Sequence, residues 1–218
     1  MRIVVAGGHG KIALLLASSL TRRGDQVHAL IRRPDQAADI AATGGVPVIF
    51  DMERDTPADL AAAVAGSDAV VFAAGAGPGS GVERKYTVDL GGSVQLADAA
   101  ERTGVRRFVQ ISTMGAGAPP APGTDEVWAA YIDAKTRAED DLRSRALDWT
   151  ILRPGMLTDD AGNGLVTLGA PPIGRGPIPR ADVAATLASI LVADNTFRHT
   201  LEVVSGPEPI ASAVSAIR

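Results

Sequence analysis

Tyr131 and Lys135 stand four residues apart in the stretch YIDAK, and a helix carries residues at that spacing on one face. A phenol and an ammonium group in one crevice can do proton chemistry: the hydroxyl exchanges a proton with a carbonyl or alcohol oxygen, and the cation favours the phenolate. Scarcity gives the pair weight. The chain has only two tyrosines and three lysines, so chance would place a Tyr-x-x-x-Lys somewhere in it about 3% of the time. The competing reading is structural, with Tyr131 packed on a sheet and Lys135 paired on the surface with Glu139.

A second constellation lies at the N-terminus, where the apolar run IVVA leads into GGHGKIA at 7–13. Gly7 allows a tight turn, Gly10 lets a pyrophosphate approach the backbone, and the helix that follows presents unpaired N–H groups and a positive dipole end to that anion. Ala13 lets the helix pack closely on the strand, and His9 could touch phosphate or be a plain loop residue. Gly10-Lys11 is not a P-loop, because Val5 stands where the first glycine belongs and Ile12 replaces the magnesium-binding hydroxyl. Arg32 and Arg33 follow the second apolar run, where a site for NAD usually has an acidic residue for the ribose. Two cations favour a 2′-phosphate, so NADP is expected before NAD. Asp51 could accept from an adenine amino group or serve as a turn cap, and Ala73-Ala74-Gly75 offers a bare backbone edge to a ribose.

These residues need a frame. Short apolar runs at 2–6, 27–31, 46–50, 69–73, 107–111, 150–153 and 201–204 alternate with segments of helical period at 11–23, 34–43, 57–65, 83–103, 126–145, 181–193 and 210–217. That alternation predicts an α/β fold, a single-domain Rossmann arrangement whose doubly wound, mostly parallel sheet carries helices on both faces. Its ligand belongs beyond the carboxyl ends of the strands. The loops GAGPGSG at 75–81 and GAGAPPAPG at 115–123 follow strands on that rim and are expected to be mobile. The Gly- and Pro-rich segment at about 154–180, with one short strand expected at 165–168, is expected to be a substrate-side lid.

With these positions located, the chain resembles the short-chain dehydrogenase/reductase superfamily, and most of all its atypical branch of small NAD(P)-binding, epimerase- and reductase-like proteins. The motifs that carry the resemblance are GGHGKIA, LIRRP, FAAGAG, VDLGGSVQLADAA, RRFVQIST, YIDAK, ILRPG with LTDD, and ADVA at 181–184. It implies hydride transfer at nicotinamide C4, with Tyr131 as acid or base, Lys135 lowering its pKa and bonding the nicotinamide ribose, and Thr113 or Ser112 orienting the substrate oxygen. Asp89 stands where better-known members carry an asparagine that holds a water. The resemblance also places Lys11, Ile12, Ile111, Pro154, Gly155 and Met156 along the cofactor.

The expected function is an NADP-dependent oxidoreductase, or an epimerase or dehydratase using transient oxidation, on a small carbonyl or alcohol. A non-catalytic NADP(H)-binding sensor of the NmrA-like kind and a flavin- or bilin-type NADPH reductase are the alternatives. Net charge is −4 and the 21 Lys and Arg are scattered, which argues against nucleic acid and an anionic membrane surface. Cysteine is absent and the three histidines fall in no metal-ligand spacing, so no metal is expected. A cytoplasmic protein, monomer or homodimer, is expected.

Overall fold

The computed structural model describes residues 1–77, 79–121 and 123–218. Pro78 and Pro122, inside the two glycine-rich loops, lie outside the described residues. In chain order the strands are β1 (Arg2–Ala6), β2 (Gln26–Ile31), β3 (Val46–Ile49), β4 (Ala69–Phe72), β5 (Arg107–Ile111), β6 (Asp148–Pro154), β7 (Met156–Thr158), β8 (Leu165–Gly169), β9 (Pro177–Pro179), β10 (His199–Ser205) and β11 (Glu208–Pro209). The helices are α1 (Lys11–Arg22), α2 (Ala37–Ala42), α3 (Pro57–Val64), α4 (Val82–Arg84), α5 (Gly92–Thr103), α6 (Glu126–Ser144), α7 (Arg180–Ile190) and α8 (Ile210–Ser215).

Among the described residues the main sheet has nine strands, in the order β11-β8-β10-β6-β5-β4-β1-β2-β3. From β3 to β10 neighbouring strands run parallel. Such strands are buried on both faces and read as continuous apolar runs, as AVVF of β4 does with every residue buried. One face of the sheet is covered around Leu16, Leu20, Leu187 and Val214 of α1, α7 and α8. The other packs Leu60, Leu96 and Leu142 of α3, α5 and α6 on Phe72 and Phe108. Strand order reverses at β1, which pairs with both β2 and β4, and that switch point is where such sheets bind ligands.

Local sequence sets the element ends. Thr56 and Asp59 cap α3 reciprocally with Pro57 in the first turn, Asp125 caps α6 by accepting from the Trp128 N–H, and Gly104 ends α5 in the left-handed region at φ 75°. The helix expected over 83–103 runs without a gap from Val82 to Thr103, as α4, a π-helical stretch Lys85–Gly91 and α5. The wider turn brings Lys85, Val88 and Asp89 to the buried side, and such bulges concentrate at functional sites.

The segment at 154–180 is more firmly built than a glycine-rich flap. Its strand β8 pairs antiparallel with β10 in the main sheet, with Val166 fully buried, and its two ends join as the parallel pair β7 and β9. Among the described residues no helix is long and apolar enough to cross a membrane, and no group of His, Cys, Asp and Glu could hold a metal ion.

Candidate cofactor and active site

The turn between β1 and α1 is a cradle of backbone. Gly7 sits at φ 77°, and a Cβ there would come within 2.5 Å of Ala74 Cα on the neighbouring strand end. A side chain at Gly8 would strike the Ala29 side chain at 2.6 Å. Gly10 donates back to the Gly7 carbonyl at 3.0 Å and is the N-cap of α1, which has neither a side-chain cap nor an acidic residue in its first turn. Free N–H groups and the dipole therefore face outward without a counter-charge from the helix itself. Ala13 is buried beneath, and Ile12, partly buried, packs against the core.

Beyond the turn is a cavity of about 280 Å³ whose walls include Gly7, Gly10, Arg32, Asp51, Ala74 and Arg84, close to the floor of the size range of small-molecule sites. His9 lines it as well, its Nε2 2.7 Å from Asp39 of α2. Ala73 and Gly75 complete the expected backbone edge. Of the two arginines only Arg32 lines the cavity; Arg33 turns to Asp35 at 3.3 Å. Asp51 both borders the cavity and caps a turn, accepting from the Glu53 N–H at 3.0 Å.

Sequence reasoning missed two residues here. Glu53 lies in the cavity wall, accepts from Arg84 and Thr87 at 2.7 Å each, and stands 3.9 Å from Arg32. Hydrogen bonds from Arg84 and then Thr87 hold its carboxyl below the usual glutamate range. Neither Glu53 nor Arg84 belongs to a motif; they meet because α4 folds back over the turn after β3.

The YIDAK helix faces the same rim. Lys135 is 4% exposed and does not pair with Glu139. Its ammonium lies 3.2 Å from Asp89 Oδ1 and donates to the carbonyls of Ile111 and Ala74 at 3.3 and 3.5 Å. Asp89 is fully buried, and its other oxygen accepts from the Ala76 N–H at 2.9 Å. The carboxylate in the asparagine position is therefore the lysine's counter-ion and a clip on the loop after β4. Tyr131 is half-buried, with its ring centroid 5.9 Å from the Lys135 ammonium and 5.6 Å from that of Lys85. Lys85 is the other residue missed. It is 8% exposed and donates to the Gly77 carbonyl and the Ser80 hydroxyl at 3.0 and 2.9 Å. Its signal was compositional: a chain of 21 Lys and Arg uses lysine only at positions 11, 85 and 135, and all three lie around this rim.

The two candidate hydroxyls separate. Ser112 is buried and donates to Glu139 Oε1 at 2.5 Å. Thr113 is half-buried, and among the described residues its hydroxyl makes only a long contact, 3.4 Å, to the Met114 carbonyl. At the end of β6, a Cβ on Gly155 would collide with the Gly176 carbonyl, so this glycine serves closure of the β7–β9 pair. Pro154 is buried in β6 and Met156 is 69% exposed. Lys11 reaches across to Asp159 at 2.5 Å, and Arg180 holds the other oxygen of Asp159 at 2.6 Å.

A parallel sheet with a glycine turn at its switch point, an uncapped helix start and a buried Lys-Asp pair beside a tyrosine define a Rossmann-fold protein built for a nicotinamide dinucleotide. Comparison with known proteins agrees. The chain belongs to the NAD(P)H-binding family, whose model matches residues 7–194, and within it to an atypical, epimerase- and oxidoreductase-like branch of the short-chain dehydrogenase/reductases. It is 33% identical over 218 residues to an uncharacterized sugar epimerase of Bacillus subtilis strain 168, covering 100% of both chains. Among solved structures, a Bacillus halodurans protein named for the NAD-dependent epimerase/dehydratase class superposes with a TM-score of 0.90 at 34% identity over 99% of each chain. An oxidoreductase of Lactococcus lactis does so with a TM-score of 0.86 at 28% identity, covering 100% of this chain and 96% of that one.

Proposed function

We propose that the protein is an NADP-dependent oxidoreductase, or an epimerase or dehydratase working by transient oxidation, acting on a small carbonyl or alcohol substrate. The observation that carries this is the placing of Tyr131, half-buried at the cofactor rim with two ammonium groups within 6 Å of its ring. When bound in the glycine cradle, NADP supplies hydride exchange at nicotinamide C4. Tyr131 gives its proton to the carbonyl oxygen in reduction and takes one from the alcohol in oxidation. Thr113, whose hydroxyl is not committed elsewhere, orients that oxygen, and Lys135 bonds the nicotinamide ribose. Arg32, which lines the cavity, would hold the 2′-phosphate. Glu53 is occupied by Arg84 and Thr87, which disfavours it as an acceptor for a free 2′-hydroxyl. The name of the B. subtilis relative supports keeping epimerisation beside simple oxidoreduction.

The test is Tyr131→Phe, assayed with NADPH or NADP against a panel of aldehydes, ketones and alcohols. Loss of a proton donor lowers turnover by roughly 10²–10⁴-fold while NADPH still binds; undiminished turnover removes Tyr131 from the mechanism. For the cofactor, Arg32→Ala weakens NADPH binding about tenfold or more and leaves NADH binding unchanged.

A second reading rests on Trp128, which is 52% exposed and lies 5.2 Å from the Tyr131 ring. An open aromatic surface suits a planar conjugated acceptor. Reduction of a flavin or other conjugated acceptor that survives Tyr131→Phe and fails in Trp128→Ala selects this reading.

A further inference from the structure

The cations at the glycine cradle do not end with Lys11. Lys11 opens α1 and Arg180 opens α7, and the two helices pack on the same face of the sheet through Leu16, Leu20 and Leu187. Both cations meet on one carboxylate. Thr158 and Pro179 are register partners in the parallel pair β7 and β9, so the residues that follow them, Asp159 and Arg180, leave the ladder side by side. Asp159 then accepts from Lys11 on Oδ2 at 2.5 Å and from Arg180 on Oδ1 at 2.6 Å, which sets an ammonium and a guanidinium next to each other at the start of α1. The Lys11 hydrogen bond, ahead of the Arg180 charge, holds the Asp159 carboxyl below the usual aspartate range, and it bridges them as an anion.

This bridge leaves most of its bonding power unspent. One carboxylate balances one of the two cations, and among the described residues Asp159 is the only hydrogen-bond partner of either side chain, so most donors of the ammonium and the guanidinium stay open. Other acids do not take them. Asp182, in the first turn of α7, is buried and accepts from the Asn163 and Gly164 N–H groups, and Asp160 is exposed and joins neither cation. The side chains of Lys11 and Arg180 are 68% and 25% exposed, within reach of a ligand. Exposed ion pairs add little to stability, so the arrangement is better explained by what its open donors can hold.

We infer that Lys11 and Arg180 form a two-pronged cation site for the diphosphate of the nicotinamide dinucleotide, and that Asp159 is the positioning residue that keeps Arg180 at the start of α1. The inference rests on the chain's place in the NAD(P)H-binding family, not on the reading of Tyr131 or on the choice of NADP over NAD. It separates two sets of cations by what they recognise. Arg32, in the cavity wall, answers to the 2′-phosphate that only NADP carries, whereas Lys11 and Arg180 answer to the diphosphate that both cofactors share. Asp159 and Arg180 also stand at the two ends of the glycine- and proline-rich loop between β7 and β9, so the substrate-side segment itself supplies part of the cofactor site.

Calorimetric binding of NADPH and of NADH to the full chain, without substrate, tests it. Arg180→Gln weakens both cofactors alike, by about five- to tenfold, where Arg32→Ala acts on NADPH alone. In an Asp159→Asn background, which no longer directs the guanidinium, Arg180→Gln costs less than about twofold. A residue that merely braced α7 would move the unfolding free energy and leave these factors where they were. Unaltered affinities in Arg180→Gln, a loss confined to NADPH, or an equal loss in both backgrounds overturns the inference. Should Arg180→Gln not fold, Lys11→Gln, at the more exposed side chain, decides: it weakens both cofactors alike, and unchanged binding overturns the inference. Turnover plays no part in these measurements, so a Tyr131→Phe protein of undiminished activity refutes the catalytic reading and leaves the diphosphate site standing.

Discussion

Lys135 and Glu139 lie one helical turn apart on α6, both buried, and each has turned away from the other to a different part of the sheet. Glu139 is saturated. Its oxygens accept from the Ser112 hydroxyl, from two nitrogens of Arg153 and from Arg143, as many donors as a carboxylate readily takes. Lys135 has three partners at 3.2 to 3.5 Å, all long for charge-assisted bonds, and Asp89 Oδ1 makes no well-aligned hydrogen bond. The contrast separates a buried ion group that fastens strands together from one with spare bonding capacity at the edge of a cleft. Complete satisfaction marks structure; slack beside a tyrosine marks a place where a ligand can still bond.

The largest effect that can break this contrast is on stability. Glu139→Ala leaves Arg153 buried without its counter-charge and is expected to cost about 3–5 kcal/mol, read by denaturant unfolding. Asp89→Asn keeps an oxygen for the Ala76 N–H and removes half of a loosely bonded pair. It is expected to cost less, about 1–3 kcal/mol. Equal losses would mean that the Lys135 pair is as structural as the Glu139 cluster and that its long distances carry no functional meaning.

The sequence disclosed the outline of this site better than its wiring. The order of apolar runs placed β1, β4 and β5 correctly because buried parallel strands leave an unbroken local signal. GGHGKIA and YIDAK were legible because backbone closeness and one-face helical spacing are local demands. The place of Asp89 beside Lys135 was legible only through the resemblance, which puts a carboxylate near the lysine. Four-residue spacing alone offered Glu139 as a surface partner, and the π turn in the helix that carries Asp89 has no local pattern that announces it. Glu53 and Arg84 were hidden for the same reason, since they sit 31 residues apart and meet only in three dimensions. Strand β8 was expected near 165–168 but its antiparallel place beside β10 was not, because periodicity locates a strand without naming its neighbours. Arg33 illustrates the opposite limit: next to Arg32 in the chain, it opens the turn Pro34–Gln36 beyond the strand and lies against Asp35 rather than lining the cavity.

A smaller effect sharpens the contrast at the two hydroxyls. Ser112 belongs to the saturated cluster, so Ser112→Ala removes a hydrogen bond to a buried carboxylate and is expected to cost about 1.5–3 kcal/mol of stability. Thr113 belongs to the slack side, so Thr113→Ala is expected to stay within about 0.5 kcal/mol in unfolding and to be seen as reduced turnover. Exchanged outcomes would return Ser112 to the substrate and make Thr113 a structural residue.

Glu53 gives the smallest effect and carries the comparison to the adenosine end of the site. Its carboxyl is held below the ordinary value of 4.5, first by hydrogen bonds from Arg84 and Thr87. A depressed carboxyl contributes stability that is present above the unfolded value and is lost as pH falls through the folded one. Wild-type unfolding free energy should therefore decline between about pH 4.5 and the lower folded value more steeply than that of Glu53→Gln, and the two curves should run parallel at neutral pH. The group is 26% exposed, so the slope is modest. If NADP binds where Arg32 and Arg84 converge, its 2′-phosphate competes with Glu53 for those cations. Saturating NADPH should then weaken the hold on Glu53 and flatten the acid slope, whereas NADH should leave it in place. A slope indifferent to both would put Glu53 with Glu139, as a structural carboxylate, and would leave Asp89 as the acidic group of the rim with bonding capacity to spare.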